Sequence, residues 1–355
     1  MKFLGGTQRE ALVADFPPAG FAMAMATGIV SIASQLQGHP RLAHALFALN
    51  ILAWTALCAL NVLRAVRHPA LFFGDLFSHA RAPGFFTAVA GTGVLGTQFA
   101  VLAGNYRVAT VLWFVTVALW VAITYTVFVA LTVREDKPSL ERGLSGTWLL
   151  AIVATQSVAV LAGTLAARAA PSLRLELNFF ALSMWLWGGM LYVWIMALIF
   201  YRYTFLRLSP ADLTPPYWIN MGAMAISTLA GSLLVLNAAD APLLHSLLPF
   251  LKGFTVLYWA IGTWWIPMLL LLGAWRYLWK RFPIRYDTSY WGAVFPLGMY
   301  AVCTQQMERA LAIDFLDTVP QAFFVAALLA WALTFAGLLR CVAEVGGMRR
   351  RPRQV

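Results

Sequence analysis

The sequence predicts an all-α integral membrane protein whose ten transmembrane helices form five hairpins, with the odd helices as an inner ring around a central pore. Three observations predict it. Of the 355 residues 61% are hydrophobic, and the mean hydropathy is +0.75. Ten apolar stretches follow one another, each near the roughly 20 residues that a helix needs to cross a bilayer. Tryptophan is concentrated in every second stretch. The apolar runs are continuous rather than alternating, which excludes a transmembrane β-barrel.

The ten spans occupy nearly the whole chain, so the sequence predicts one transmembrane domain at 17–342. A cytoplasmic segment, 1–16, precedes it and a basic cytoplasmic tail, 343–355, follows it. The eighth span is long enough to be tilted or to extend beyond the bilayer. In chain order the predicted spans are 17–35, 42–65, 83–103, 108–132, 145–167, 177–203, 217–237, 247–278, 290–306 and 320–342.

The connections between spans alternate in length and charge. Those from an odd span to the next even span are short, as around Gln37 to Arg41, whereas those from even to odd are longer and charged, as in Val133 to Leu144. Short connections join neighbouring antiparallel helices. The pattern therefore predicts five consecutive hairpins, each made of an odd helix and the even helix that follows it.

Tryptophan distinguishes the two rings. The odd stretches carry it only near their first turns, at Trp148, Trp218 and Trp291, and the other tryptophans of the 15 in the chain fall in even stretches. Lipid accommodates bulky amphipathic rings, whereas close helix approach and a wet lumen favour small and polar residues. This pattern predicts that the even helices form the outer ring, in contact with lipid.

Small, polar and helix-bending residues fall at the middle of the odd stretches. A proline inside a helix frees a carbonyl and bends the axis, and such groups persist in a membrane only when buried or facing a wet cavity. Tight helix packing through small residues is the alternative interpretation. The candidate pore-lining or kink residues are Gly28, Gly93, Ser157, Thr228, Gly231, Pro296 and Gly298.

The basic residues predict the orientation. Of the 25 Lys and Arg residues, 19 lie at the termini and in the connections after even spans, which leaves 6 on the opposite side. Cytoplasmic loops carry such an excess, so both termini are expected in the cytoplasm and the chain in the plasma (inner) membrane. The net charge of +11 then reflects topology and contact with anionic lipid rather than nucleic-acid binding.

The sequence contains no constellation typical of an enzyme, a metal site or a cofactor site. All five histidines lie near span ends, the three cysteines have no paired spacing, and the middle of the membrane holds almost no ionisable side chain. We therefore expect no enzyme activity, cofactor or metal. A path without fixed negative charge, entered through mouths rich in Lys and Arg, favours a small anion as the substrate.

Phe295 is the candidate gate. It precedes Pro296 in a ninth stretch otherwise rich in small residues, where a large ring could close a narrow lumen by excluding water. Phenylalanine is also a common filler between packed helices, so the alternative is a packing role.

Four segments resemble the tellurite-resistance/dicarboxylate transporter family, which includes bacterial TehA proteins, fungal malate permeases and plant guard-cell slow anion channels. The resemblance implies a ten-helix fold around a pore in each subunit, a phenylalanine at position 295 that occludes it, and a homotrimer. The segments are Phe21–Ser31, Pro215–Gly231, Tyr258–Tyr277 and Phe295–Tyr300.

Several functions stay open. The leading hypothesis is channel-like translocation of malate, another C4-dicarboxylate, chloride, nitrate or sulfite. A proton-coupled dicarboxylate or oxyanion carrier is the alternative, with a tellurite-resistance phenotype. A membrane-embedded redox subunit is a third hypothesis, and the placement of the histidines argues against it.

Overall fold

The structure is a computed structural model that describes residue 10, residues 12–284 and residues 286–347. It contains ten long helices, in which shorter and longer ones alternate along the chain. Of the predicted terminal segments, most of 1–16 and of 343–355 lies outside the described residues. We number the ten long helices α1 to α10. The odd helices are α1 (Ala22–Leu36), α3 (Phe86–Val101), α5 (Leu150–Ala166), α7 (Ile219–Asn237) and α9 (Trp291–Leu311).

The even helices are longer and carry the hydrophobic surface. Their length exceeds what the bilayer requires, so their ends project beyond the apolar layer. They are α2 (Pro40–Arg67), α4 (Tyr106–Val133), α6 (Pro171–Phe205), α8 (Leu248–Ala274), which a π-helical turn extends over Trp275–Trp279, and α10 (Thr318–Gly347).

Each odd helix begins in the same way, with a short 3₁₀ turn that leads into the α-helix. Three of these turns have proline at the first or second position. Proline suits a helix start because its φ is fixed near the helical value and because an N–H at this position would have no partner within the helix. Trp148 and Trp218 lie within such turns, and Trp291 directly follows one. The turns are Pro18–Phe21, Ala82–Phe85, Gly146–Leu149, Pro215–Trp218 and Thr288–Tyr290.

The odd helices form a closed inner ring. In space, α1 packs against α3, α3 against α5, α5 against α7, α7 against α9, and α9 returns to α1. Each odd helix also packs against the even helix that follows it, as the hairpins require. Every even helix reaches one further odd helix, the first of the next hairpin, and α10 closes the circle on α1.

Burial separates the rings. In the apolar stretches of α1, α3, α5 and α7, 72%, 83%, 94% and 89% of the residues are buried, against 22%, 28%, 56%, 22% and 17% in the even helices. The exposed residues of the even helices are large and apolar, including Leu52, Phe114, Leu271 and Leu333. An apolar surface of this extent needs lipid. The predicted fold class, an all-α integral membrane protein, is confirmed.

Hydropathy separates α9 from the other helices. Among the described residues, nine helices are long and apolar enough to cross a membrane, and α9 is not one of them. Its last turns contain Gln305, Gln306, Glu308 and Arg309, which lower its mean hydropathy. The contacts of α9 nevertheless place it in the inner ring. A membrane crossing by all ten helices therefore stays a prediction.

Candidate pore and gate

The position of α9 in the ring defines the direction of its side chains. Pro296 faces α7, because a Cβ added to Gly222 would lie 2.7 Å from the Cγ atom of Pro296. Gly298 faces the other neighbour, α1, where an added Cβ would lie 2.9 Å from Cγ2 of Ile29. These two residues therefore mark the two sides of α9 that pack within the ring.

The outward side of α9 is marked by two hydrogen bonds to α8. The hydroxyls of Tyr300 and Thr263 lie 2.6 Å apart, and the Trp259 indole donates to Thr304 Oγ1 at 3.0 Å. Successive residues of a helix are rotated by about 100°, which leaves Phe295 on the side opposite α8. The Phe295 side chain thus points toward the centre of the ring.

Phe295 is buried on the inward side of α9. Its side chain is only 1% exposed, although it points away from α8 and α10, the outer helices that contact α9. The residues four, seven and eleven positions further on share its face of the helix, and they are Met299, Val302 and Gln306. This inward stripe carries no charge, and Met299 and Val302 are buried like Phe295.

The candidate glycines in other odd helices lie at helix contacts. A Cβ on Gly28 would come within 2.5 Å of Val94 Cγ1 on α3, and one on Gly93 would come within 3.0 Å of Ser157 Cβ on α5. Gly231 lies against Thr255 of α8 and the Trp185 ring of α6. These contacts favour the packing interpretation for the three glycines, since small residues allow such close approach.

The two candidate hydroxyl residues are also buried, and they bond to their own helices. Ser157 donates to the carbonyl of Val153 at 2.7 Å, and Thr228 donates to that of Met224 at 2.9 Å. Neither hydroxyl proton is therefore free for an anion. A pore-lining role for Ser157 and Thr228 stays a prediction.

Five tryptophans of the even helices bind the inner ring, and in each case the donor is an indole N–H. Each reaches the first helix of the next hairpin, so the five bonds run around the ring in one direction. The pairs are Trp54 with Thr92 Oγ1 at 3.0 Å, Trp120 with Thr155 Oγ1 at 2.9 Å, Trp185 with the Ser227 carbonyl at 2.8 Å, Trp259 with Thr304 Oγ1 at 3.0 Å, and Trp331 with Thr27 Oγ1 at 3.0 Å.

These bonds explain the alternation of tryptophan with small polar residues. Thr92 and Thr155 each donate to the carbonyl four residues earlier and accept from a tryptophan, so both hydroxyls face the outer ring. The sequence analysis assigned tryptophan to lipid and the polar residues to a lumen. At these positions the two classes instead pair across the rings, which side-chain composition alone does not reveal.

A second repeated contact closes four of the five hairpins at the end that the sequence predicts to be cytoplasmic. An arginine at the end of an even helix donates to a backbone carbonyl just before the odd helix of the same hairpin. A guanidinium suits this place because its five donors can bridge several carbonyls. The pairs are Arg64 with Ala14, Arg134 with Phe77, Arg202 with Leu144, and Arg276 with Leu213.

Two of these arginines also form ion pairs. Arg64 Nη2 lies 2.8 Å from Asp75, which pairs with Arg81 at 2.7 Å, and Arg202 Nη2 lies 3.4 Å from Asp212. Burial raises the pKa of Asp212, but hydrogen bonds from Ser209 and the Arg202 charge outweigh it, so the pKa lies below its usual value. Arg64 and Arg202 thus connect helix ends to neighbouring loops. The sequence analysis had counted them only as indicators of topology.

Two buried carboxyls, Asp75 and Glu308, were missed by the sequence analysis. Glu308, in the last turns of α9, is 6% exposed, and its Oε1 accepts the backbone N–H of Leu316 at 2.9 Å. It lies near the end of the helix rather than at mid-membrane. Within the described residues no group of three or more His, Cys, Asp and Glu could hold a metal ion.

Comparison with known proteins finds a matching family and several relatives. Residues 15–339 match the family described as SLAC1, voltage-dependent anion channel. An uncharacterized transporter of Methanocaldococcus jannaschii is 24% identical over 337 residues, or 92% of this chain and 94% of the relative. The sulfite efflux pump SSU1 of Trichophyton rubrum is 25% identical over 349 residues, 91% of this chain and 90% of the relative. An uncharacterized membrane protein of Mycobacterium tuberculosis is 38% identical over 161 residues, 45% of this chain and 81% of the relative.

Proposed function

Because the chain belongs to the SLAC1 family of voltage-dependent anion channels, we propose that it conducts small anions through the inner ring and that Phe295 closes the path. The observation that carries the proposal is the inward direction of Phe295, which is 1% exposed at the centre of a closed ring of five helices. An apolar constriction excludes water, and therefore ions, without any charged group.

The selectivity follows from the mouths rather than from the constriction. The inward stripe of α9 carries no charge, and 19 of the 25 basic residues lie on the side predicted to be cytoplasmic. A positive potential at an entrance raises the local concentration of anions. Chloride, nitrate, sulfite and C4-dicarboxylates such as malate are the candidate substrates, and a tellurite-resistance phenotype would reflect passage of an oxyanion.

An oxyanion carrier is the second candidate, favoured by the similarity to a sulfite efflux pump along nearly the whole chain. Such a carrier would couple the substrate to protons, which can enter bound to a monoanion when the pore itself has no titratable relay. The scarcity of charged groups at mid-depth favours the channel.

Flux measurements in proteoliposomes distinguish the two. Wild type and Phe295→Ala are compared for chloride, nitrate, sulfite and malate, with and without a pH gradient, using protein-free liposomes and potassium flux as controls. A channel predicts that the variant passes several anions faster, whatever the gradient. A carrier predicts uptake of one oxyanion driven by the gradient, and no anion flux from either protein would contradict both.

The orientation and the assembly are also proposals. The excess of basic residues on one side supports cytoplasmic termini, and the exposed Cys341 near the end of α10 tests this. A membrane-impermeant maleimide should label Cys341 in a Cys58→Ser background only after the cytoplasmic side is opened. Labelling in intact cells would invert the topology. We propose a homotrimer, which a mass measurement of the detergent-solubilised protein would overturn by giving a monomer.

A further inference from the structure

The ninth helix is held differently on the two sides of Pro296. Beyond the proline, α9 receives two hydrogen bonds from α8, one turn apart on each helix: Tyr300 with Thr263, and Thr304 with Trp259. The rings of Trp259 and Tyr300 also stack, with their centroids 6.2 Å apart. In the other four odd helices, a tryptophan bond from the preceding even helix makes the corresponding contact. Side-chain bonds add to it in α3, where Asn50 donates to Gln98, and in α7, where Asn178, Tyr192 and Tyr203 of α6 take part.

The direction of the Tyr300 bond can be assigned from the neighbouring contacts. The Thr263 hydroxyl donates its one proton to the Trp259 carbonyl at 2.7 Å, so the hydroxyl of Tyr300 must be the donor to Thr263. The Tyr300 ring is also held from α10, where the ring of Phe323 lies 4.5 Å away between centroids. The Tyr300 side chain is thus fixed by two outer helices at once.

Before the proline, the same helix borders open pockets on its outer side. Pro296 has no N–H, so the carbonyl of Gly292 lacks its helical partner. Tyr290 and Ala293 line two cavities, one of about 100 Å³ toward α7 and α8 and one of about 430 Å³ toward α10. The outer side of the first turn of α9 therefore borders two open pockets, although Trp291, Val294 and Phe295 are buried, and the part beyond Pro296 has the two bonds to α8.

We propose that Trp259 and Thr263 of α8 act as a clamp that fixes α9 beyond Pro296 and thereby holds Phe295 at the centre of the ring. The proposal rests on Phe295 being the gate. Opening then consists of a movement of α9 about Pro296 that carries Phe295 away from the centre and breaks the clamp bonds, so loss of a clamp bond favours the open protein. Tyr300 and Thr304 are positioning residues, since neither points toward the pore.

Three substitutions each remove one hydroxyl that bonds an inner helix to an outer helix, two of them on α9 and one on α3. Tyr300→Phe and Thr304→Val each delete one bond of the clamp, and Thr92→Val deletes the corresponding tryptophan bond on α3, which carries no gate. A hydrogen bond of about 1 kcal/mol corresponds to about a fivefold change in the ratio of open to closed protein. We expect chloride flux to rise about fivefold in the two clamp variants and to stay at the wild-type value in Thr92→Val.

A second background separates positioning from general loosening. In Phe295→Ala no ring remains to be positioned, so Tyr300→Phe should add nothing to the flux of that variant. Wild-type flux in both folded clamp variants, or the same rise with and without Phe295, would overturn the clamp. A loss of melting temperature in Thr92→Val similar to that in Thr304→Val, with a rise in flux only in Thr304→Val, supports it. If Phe295→Ala itself leaves flux unchanged, the gate fails and the clamp with it.

Discussion

Arg202 shows how much one side chain contributes at the end of α6. It is 3% exposed, and its guanidinium donates to the Leu144 carbonyl and the Tyr217 hydroxyl, with Asp212 at 3.4 Å. A buried charge costs several kcal/mol unless it is paired and fully hydrogen-bonded. The site therefore depends on all of its partners, and the arginine joins the connections before α5 and α7.

Replacement of Arg202 tests this dependence. We expect Arg202→Met to lower the free energy of unfolding by about 3 kcal/mol, because the carbonyl and the hydroxyl lose a charged donor in a buried place. Arg207→Met is the matched control, since Arg207 is exposed five residues further along. Thermal unfolding in detergent measures both. Equal melting temperatures for the two variants would show that the Arg202 contacts contribute nothing measurable.

Single residues were predictable only where one helix decides their environment. The burial of Phe295 agrees with its selection as a large ring beside Pro296 in a helix of small residues, and its role as the gate stays a prediction. The bond from Trp120 to Thr155 joins two helices, and nothing in either sequence segment names its partner. The buried role of Arg64 was missed because it depends on Asp75 folding back against it.

At the scale of helices, α7 and α9 approach closely at one glycine. A Cβ on Gly222 would lie 2.7 Å and 2.9 Å from Cγ and Cβ of Pro296 and 3.2 Å from its Cα atom. Real Cβ atoms do not come so near, and a proline ring cannot rotate away as a flexible side chain can. The contact therefore determines the spacing of α7 and α9 beside the candidate gate.

Gly222→Ala should force the two helices apart. We expect a loss of about 1–3 kcal/mol, the range for extra volume in a well-packed interior. Gly253→Ala on α8 is the control, because no heavy atom lies within 4 Å of its added Cβ and alanine favours a helix. Melting temperatures compare the pair. A Gly222→Ala protein as stable as the Gly253→Ala protein would contradict the close approach.

Helices were predictable in number and order, with errors at the ends. The sixth helix begins at Pro171 rather than at 177, because Arg174 and Glu176 interrupt the apolar run without interrupting the helix. The ninth runs to Leu311 rather than to 306 for the same reason. Hydropathy reports the part of a helix that lipid surrounds, and it does not detect a polar continuation or the 3₁₀ turns that precede the odd helices.

The whole molecule combines two repeated contacts. Tryptophan bonds join each hairpin to the next, and arginine bonds close four of the hairpins at one end. Both hold the inner ring from outside, and the inward stripe of α9, with Phe295 and Val302, takes part in neither. The two-ring arrangement was predictable from the tryptophan pattern. The inward face of the ring was not, because small polar residues serve helix contacts as well as lumens.

The proposed closure of the ring by Phe295 makes a graded prediction for transport. Flux of chloride through proteoliposomes is measured for Phe295→Leu, Phe295→Val and Phe295→Ala, with Phe86→Ala as the control. Phe86 is 2% exposed and its ring faces Phe128 of α4 at 6.2 Å between centroids, so its loss removes similar packing away from the centre. Because Phe→Ala costs about 3–5 kcal/mol in a filled core, a monodisperse elution profile must first establish that each variant is folded.

If Phe295 is the barrier, chloride flux rises as the side chain at position 295 becomes smaller, in the order Leu, Val, Ala, and Phe86→Ala keeps the wild-type flux. Wild-type flux in a folded Phe295→Ala protein, or an equal rise in Phe86→Ala, would contradict a pore closed by Phe295.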